Sequence, residues 1–344
     1  MYKSFDVLDV LWHFIDTVDI IGHQETVKMV AQNCVWSDIF DDQSRSNLEG
    51  GYVVTGIISS LLGIWLNLAL LLTNLRTDLS YRNLAFFTVI ACLRRAISVF
   101  SQLPLFNYSE SLKYETSDIS CDISGFWDSF WTVYEVECLT HVCIERYVIA
   151  KYTTRGWPIQ KSHYILYQGL CLFFASLYSL PPLFGIGRFG YDFSCQTCVL
   201  DMVLPGTWQR YVVLGIFLLR SVKSTGFMLT MLIWASNLEA KYDESEKFMK
   251  EIRFTKSVIV ITVVNLLCWM PIAAIRGLVV LSSLLSDGVP VQPSASSIQW
   301  TVWIHWAAPA FTTVAMFLVD AKAHQKMIQV WKGGDQTDKV AKNE

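Results

Sequence analysis

Charge is what this sequence has least of. Aspartate, glutamate, lysine and arginine make up 17% of its 344 residues against 53% hydrophobic residues, and the mean hydropathy is +0.36. That balance excludes an ordinary water-soluble enzyme of this length and fits a polytopic membrane protein. An excess of one sign is also lacking: the net charge is −3, so bulk electrostatics supplies no pull on nucleic acid or on an acidic partner. The nine cysteines are scattered along the chain, which disfavours a structural zinc module. No Ser/His/Asp arrangement, HExxH or phosphate loop is visible, so no enzyme activity is expected. Nor is there an internal repeat of the kind that marks inverted-repeat transporters. Aromatic residues, by contrast, reach 14%, which suits the interfacial belts of a membrane protein better than a stacking platform for bases.

What is present is a series of long apolar runs. A bilayer core about 30 Å thick needs roughly 20 apolar residues per helix. Seven stretches meet that length, near residues 52–74, 82–105, 122–148, 164–186, 211–237, 254–282 and 298–320. The expectation is an all-α membrane protein with a seven-helix bundle over residues 51–320. Sixteen lysines and arginines fall in the segments after the first, third, fifth and seventh spans and only six on the opposite side, which sets the N-terminus outside. The sequon Asn107-Tyr108-Ser109 then lies outside too and is a glycosylation candidate. Residues 1–50 are acidic, aromatic and without a small-residue cleavage site, so they are expected to form an extracellular segment, with the first span as targeting signal. Residues 321–332 set Met327, Ile328 and Trp331 among basic side chains, the pattern of a short amphipathic helix on the inner leaflet; residues 333–344 form a polar tail.

Charges inside the spans are the candidates for function. Arg94, Arg95, Arg220, Lys223 and Arg276 lie at membrane depth, with Asp128, Glu135 and Glu137 in the third span. A charge there costs at least a few kcal/mol and faces a cavity or a partner. One reading is a polar ligand pocket bounded by Asp128 and Arg276; the other is structural ion pairing or snorkelling. Glu135 and Glu137 are two residues apart and cannot point the same way along a helix. Cys121 opens the third span from the oxidising side, so a disulfide to Cys195 or Cys198 in the next outer loop is expected. Cys92, Cys138, Cys143, Cys171 and Cys268 are read as small packing residues. At the other end of the third span stands Glu145-Arg146-Tyr147, with Glu251 opening the sixth span on the same side. An arginine that pairs with Glu145 and reaches Glu251 makes a two-state latch. Pro271 removes a hydrogen bond from the sixth span and should bend it close to Trp269.

Together these spacings resemble the rhodopsin-like (class A) G-protein-coupled receptors and, within them, the opsins. Cys121 and Arg146 stand 25 residues apart, with Gly125-Phe126 between them. Pro181-Pro182-Leu183-Phe184-Gly185, followed by Arg188, Asp192, Cys198 and Asp201, is similar to the opsin second outer loop. Cys268-Trp269-Met270-Pro271 matches the family's CWxP, and Glu251 lies 18 residues before that tryptophan, where the family keeps its helix-six lock acid. Leu75-Arg76-Thr77 and Gly63…Asn67 fit as well, so the resemblance covers nearly all of residues 50–332. It implies a Cys121–Cys198 disulfide, an activation switch of Glu145, Arg146, Tyr147, Glu251, Trp269 and Pro271, and a heterotrimeric G protein as cytoplasmic partner. It also implies residence in the plasma membrane.

The departures bear on function. Pro309-Ala310-Phe311 aligns with the opsin helix-seven PAF, and the family's retinal-binding lysine comes five residues after that proline; here the position is Val314. Valine cannot form a Schiff base, so no covalent retinal cofactor is expected at the usual site. Ser124 stands where vertebrate visual opsins carry a glutamate, and Asp192 takes the second-loop carboxylate position. The NPxxY stretch reads Asp320-Ala321-Lys322-Ala323-His324, Thr88 or Ile90 replaces the helix-two aspartate, and Gly226 replaces the helix-five proline. The expected ligand pocket comprises Asp128, Asp192, Lys223, Trp269, Arg276 and Val314. The expected function is an opsin-like receptor that passes a small-ligand stimulus, or constitutive activity, to a G protein. A retinal-dependent photoreceptor with noncovalent attachment, or with a relocated linkage such as Lys223, is the alternative; a transporter or channel is a remote one.

Overall fold

The computed structural model describes residues 118–152, 161–191, 198–201, 207–239, 246–285 and 291–319, with single positions between 58 and 93 and at 325 and 328. The N-terminal segment, most of the first two spans with Arg94 and Arg95, Asn107, Asp192, Cys195, the altered NPxxY stretch, most of the expected amphipathic helix and the tail lie outside the described residues.

The third span is the axis of the described structure. It forms α1 (Asp118–Tyr152), whose 35 residues reach about 52 Å at 1.5 Å per residue, well beyond a bilayer core of about 30 Å. The fourth span forms α2 (Lys161–Ser179). It stops where Pro181 and Pro182, which lack amide donors, turn the chain into a short 3-10 helix, Pro181–Phe184. That turn closes on Gly185 at φ +77°, a left-handed conformation that glycine adopts without a Cβ penalty. The chain then forms an antiparallel pair, β1 (Phe189–Tyr191) with β2 (Cys198–Leu200), in the register Tyr191 opposite Cys198 and Phe189 opposite Leu200.

The fifth span is helical throughout but changes pitch: α3 (Thr207–Leu218) runs into a π-helical turn, Leu219–Lys223, and continues as α4 (Ser224–Glu239). The sixth span, α5 (Glu246–Leu285), carries Pro271 within an otherwise continuous 40-residue helix. The seventh, α6 (Ala295–Val319), starts behind Ser294, whose Oγ accepts the Ser297 amide at 3.3 Å as an N-terminal cap.

The main core lies where α1, α2, α4 and α5 meet. It joins Leu139 and Val142 of α1, Ala175 of α2, Met228 and Leu232 of α4, and Val258 and Ile261 of α5, all buried. The outward faces are just as apolar. Ile165 is 75% exposed, Leu267 67% and Leu278 62%, an arrangement that costs free energy in water and none against lipid tails. Among the described residues, two helical runs, Arg210–Glu239 and Ile252–Leu285, are long and apolar enough to cross a membrane. Two hydroxyls of α1 return their protons to the backbone, Thr132 to Asp128 O at 2.6 Å and Thr140 to Val136 O at 2.8 Å, so these two add no unpaired donor at depth.

Candidate functional site

Three polar assemblies are strung along α1. At its N-terminal end, Cys121 and Cys198 form a disulfide with Cα atoms 5.4 Å apart, tying the helix to β2. The expected outer-loop pairing is thus resolved in favour of Cys198. Phe189 packs beside the bridge, buried with both cysteines and against Phe126. Gly125 makes this corner possible: a Cβ there would stand 2.6–2.8 Å from Phe189 side-chain atoms, closer than atoms tolerate. Arg188 Nε donates to Asp201 Oδ2 at 2.6 Å and joins the two ends of the hairpin.

Midway along α1, Glu137 accepts from Lys223 Nζ at 2.8 Å and from Ser224 Oγ at 3.2 Å. The ammonium also lies over the rings of Phe174, at 4.6 Å, and Tyr178, at 5.7 Å. A carboxylate and two aromatic faces therefore replace the water that the lysine has lost. Lys223 occupies the last position of the π-helical turn. The wider turn shifts the helical register by one residue, and so sets which side of the fifth span the lysine shares with its neighbours. Sequence reasoning assigned Lys223 to a pocket with Trp269 and Arg276; the structure brings it to Glu137 of α1 and the aromatic rings of α2. No sequence pattern marks the π turn, and the only hint was a basic pair, Arg220 and Lys223, within an apolar span.

At the far end of α1, Arg146 and Glu145 are both buried and pair at 2.7 Å. Tyr164 Oη donates to the same Glu145 oxygen at 3.2 Å. The Arg146 guanidinium carbon sits 4.5 Å from the centroid of Phe254 on α5. The arginine is thus held by a carboxylate on its own helix and covered by a ring from the helix that begins with Glu246 and contains Glu251. The Glu251 side chain lies outside the described residues. Tyr147 leaves this cluster: its hydroxyl accepts from Lys151 Nζ at 3.0 Å, and its ring packs on Trp234 of α4.

The other described residues of the expected pocket are distributed over three helices. Asp128 is half-buried on α1; Trp269 and Arg276 are half-buried on α5, one turn before and somewhat over one turn after Ile272. Val314 is half-buried on α6 and packs against the main core. Two indole donors, Trp131 Nε1 on α1 and Trp303 Nε1 on α6, are buried with no hydrogen-bond partner. They are polar groups that the sequence did not single out.

Comparison with known proteins places this geometry. Residues 67–314 match the family model described as "7 transmembrane receptor (rhodopsin family)". Rhodopsin of Psalidodon fasciatus is 24% identical over 165 residues, which are 46% of this chain and 47% of the relative. Pinopsin of Gallus gallus is 24% identical over 186 residues, 52% of this chain and 51% of the relative. The chain spans about half the length of the curated relatives it matches. The crystal structure of squid rhodopsin shares the fold at a TM-score of 0.62, with 18% identity, over 83% of this chain and 86% of that one. The architecture is therefore a seven-transmembrane helical bundle, of which α1, α2, α3 with α4, α5 and α6 are the third to seventh spans.

Proposed function

We propose, for a chain that belongs to the rhodopsin family of seven-transmembrane receptors, that it is an opsin-like receptor of the plasma membrane passing a stimulus from its outer half to a heterotrimeric G protein on its cytoplasmic face, without a retinal bound covalently at the seventh span. The buried Glu145–Arg146 pair beneath Phe254 carries this reading. It holds a guanidinium at the Arg146 end of α1, where release from Glu145 would free a cation for a partner protein while Phe254 moves with α5. Such a contact has two states, and anything that displaces α5 biases it. Trp269 and Arg276, on the same helix, are suited to make that displacement depend on a bound molecule. Val314 supports the absence of a covalent chromophore, since no imine forms on valine. The N-terminus lies outside in this reading, on the distribution of lysine and arginine. The test is nucleotide exchange on a purified G protein by the receptor in lipid discs, where Arg146→Ala removes the stimulated or basal exchange of the unaltered chain.

A second reading, a retinal-dependent photoreceptor with a relocated linkage, draws on one observation. Lys223 is an amine at membrane depth with a carboxylate 2.8 Å away, the counter-charge an iminium would require. Incubation with 11-cis- and all-trans-retinal in the dark, borohydride reduction and peptide mass spectrometry decide it. A retinyl-Lys223 peptide supports the photoreceptor; unmodified lysines remove the relocated linkage.

A further inference from the structure

The seam between α1 and α2 holds a second polar group that the receptor reading does not use. Cys138 of α1 and Cys171 of α2 each face the other's helix across it, Cys138 toward Gln168, one turn before Cys171, and Cys171 toward His141, one turn after Cys138. Both are buried, Cys171 completely. Cys171 Sγ is 2.9 Å from His141 Nδ1, one turn along α1 from Cys138. The imidazole is stacked on Tyr167 at 5.1 Å between centroids, which fixes its plane. Cys138 Sγ also faces Gln168 Oε1 at 3.8 Å, an oxygen already taken by Tyr134 Oη at 2.5 Å. Packing alone accounts for small buried thiols, as at Cys143, whose sulfur meets only Thr262 Oγ1 at 3.5 Å. It does not account for two thiols and an imidazole converging across one helix seam. A metal is not the occupant favoured here, since among the described residues no group of three or more histidines, cysteines and acids is disposed to hold one.

We infer that Cys138, Cys171 and His141 form a peroxide-sensitive dithiol that closes into a disulfide between α1 and α2. Hydrogen peroxide is the oxidant, small and uncharged enough to reach a buried seam. His141 Nδ1 accepts the Cys171 proton, and the thiolate attacks one peroxide oxygen. The O–O bond breaks, Cys171 becomes a sulfenic acid, and the departing hydroxide takes the imidazolium proton and leaves as water. Cys138 sulfur then attacks the Cys171 sulfur; its proton and the sulfenic hydroxyl leave as a second water. Two thiols lose two electrons in all, and one peroxide is reduced to two waters. The product clamps α2 to α1 beside the Glu137–Lys223 pair. This inference does not depend on the nature of the ligand or on G-protein coupling.

The first test uses the unaltered chain in lipid discs and needs no variant. The protein is exposed to hydrogen peroxide, unfolded in an alkylating agent, digested without reduction and analysed by mass spectrometry. The inference predicts a Cys138–Cys171 cross-linked peptide that accumulates with peroxide while Cys143 and Cys268 stay alkylated. Recovery of Cys138 and Cys171 as alkylated thiols, to the same extent as Cys143 and Cys268, would overturn it. His141→Asn, compared at matched recovery of folded protein, should slow the cross-link about tenfold, because the thiolate and not the thiol attacks peroxide. An unchanged rate would remove the imidazole from the step and contradict the three-residue assignment.

Discussion

Lys223 Nζ and Glu137 Oε1 stand 2.8 Å apart, joining the π-helical turn of the fifth span to the middle of α1. Glu137 is 4% exposed at its side chain and Lys223 24%, so the two charges have little water to fall back on. Removing one partner leaves the other unpaired in a medium that solvates it poorly. Glu137→Leu should therefore destabilise the protein by roughly 3 kcal/mol. Glu137→Leu with Lys223→Met removes both charges and should recover most of that loss. Thermal melts of the single and double variants in detergent measure the coupling. Purely additive losses would mean that the pair does not act as a unit.

The corner that carries the disulfide depends on a missing side chain. Gly125→Ala sets a methyl group 2.6–2.8 Å from Phe189, and overpacking of that kind costs about 1–3 kcal/mol. The expected outcome is a lower melting temperature, partly restored by Phe189→Leu, which makes room for the methyl. A Gly125→Ala variant as stable as the parent would mean that the hairpin is free to move away from α1.

The Cys121–Cys198 bridge spans 77 residues of sequence. A cross-link over a loop of that size is worth about 4 kcal/mol through the entropy it removes from the unfolded chain. Cys198→Ser should lower thermal stability and reduce recovery of folded protein from membranes. Dithiothreitol should lower the stability of the parent and leave the variant unchanged. A variant that is also weakened by dithiothreitol would point to another bridge in the chain.

Periodicity and residue type made some of this legible. Long apolar runs mark the third to seventh spans, because the bilayer fixes how many apolar residues a helix needs. The Glu145–Arg146 pair could be anticipated, since neighbouring opposite charges at a helix end have no better partner in an apolar setting. The role of Gly125 was legible only as a resemblance; the Phe189 ring that requires it comes from a strand 64 residues later. The π-helical turn was hidden, because a local change of pitch leaves no compositional trace. Without it the neighbours of Lys223 cannot be read off a regular helix. The Cys138, Cys171 and His141 cluster was hidden for a related reason: each residue is an ordinary packing choice on its own helix, and only the α1–α2 contact brings them together. Phe254 above Arg146 looked like one more apolar residue of the sixth span, although it supplies the contact between the latch and α5.

The central claim is that the Arg146 end of α1 is a latch whose release engages a G protein. The most direct measurement is basal nucleotide exchange on a purified heterotrimeric G protein, catalysed by the chain in lipid discs, with Glu145→Gln and Arg146→Ala beside the parent at equal amounts of folded receptor. Glu145→Gln keeps the shape of the partner and removes its charge, so the guanidinium loses the ionic part of this tie. The account predicts exchange several-fold above the parent for Glu145→Gln, since loss of a buried charge-assisted contact of about 1–3 kcal/mol shifts a two-state equilibrium by at least that factor. It predicts no exchange above background for Arg146→Ala. Equal exchange by all three proteins would contradict the latch.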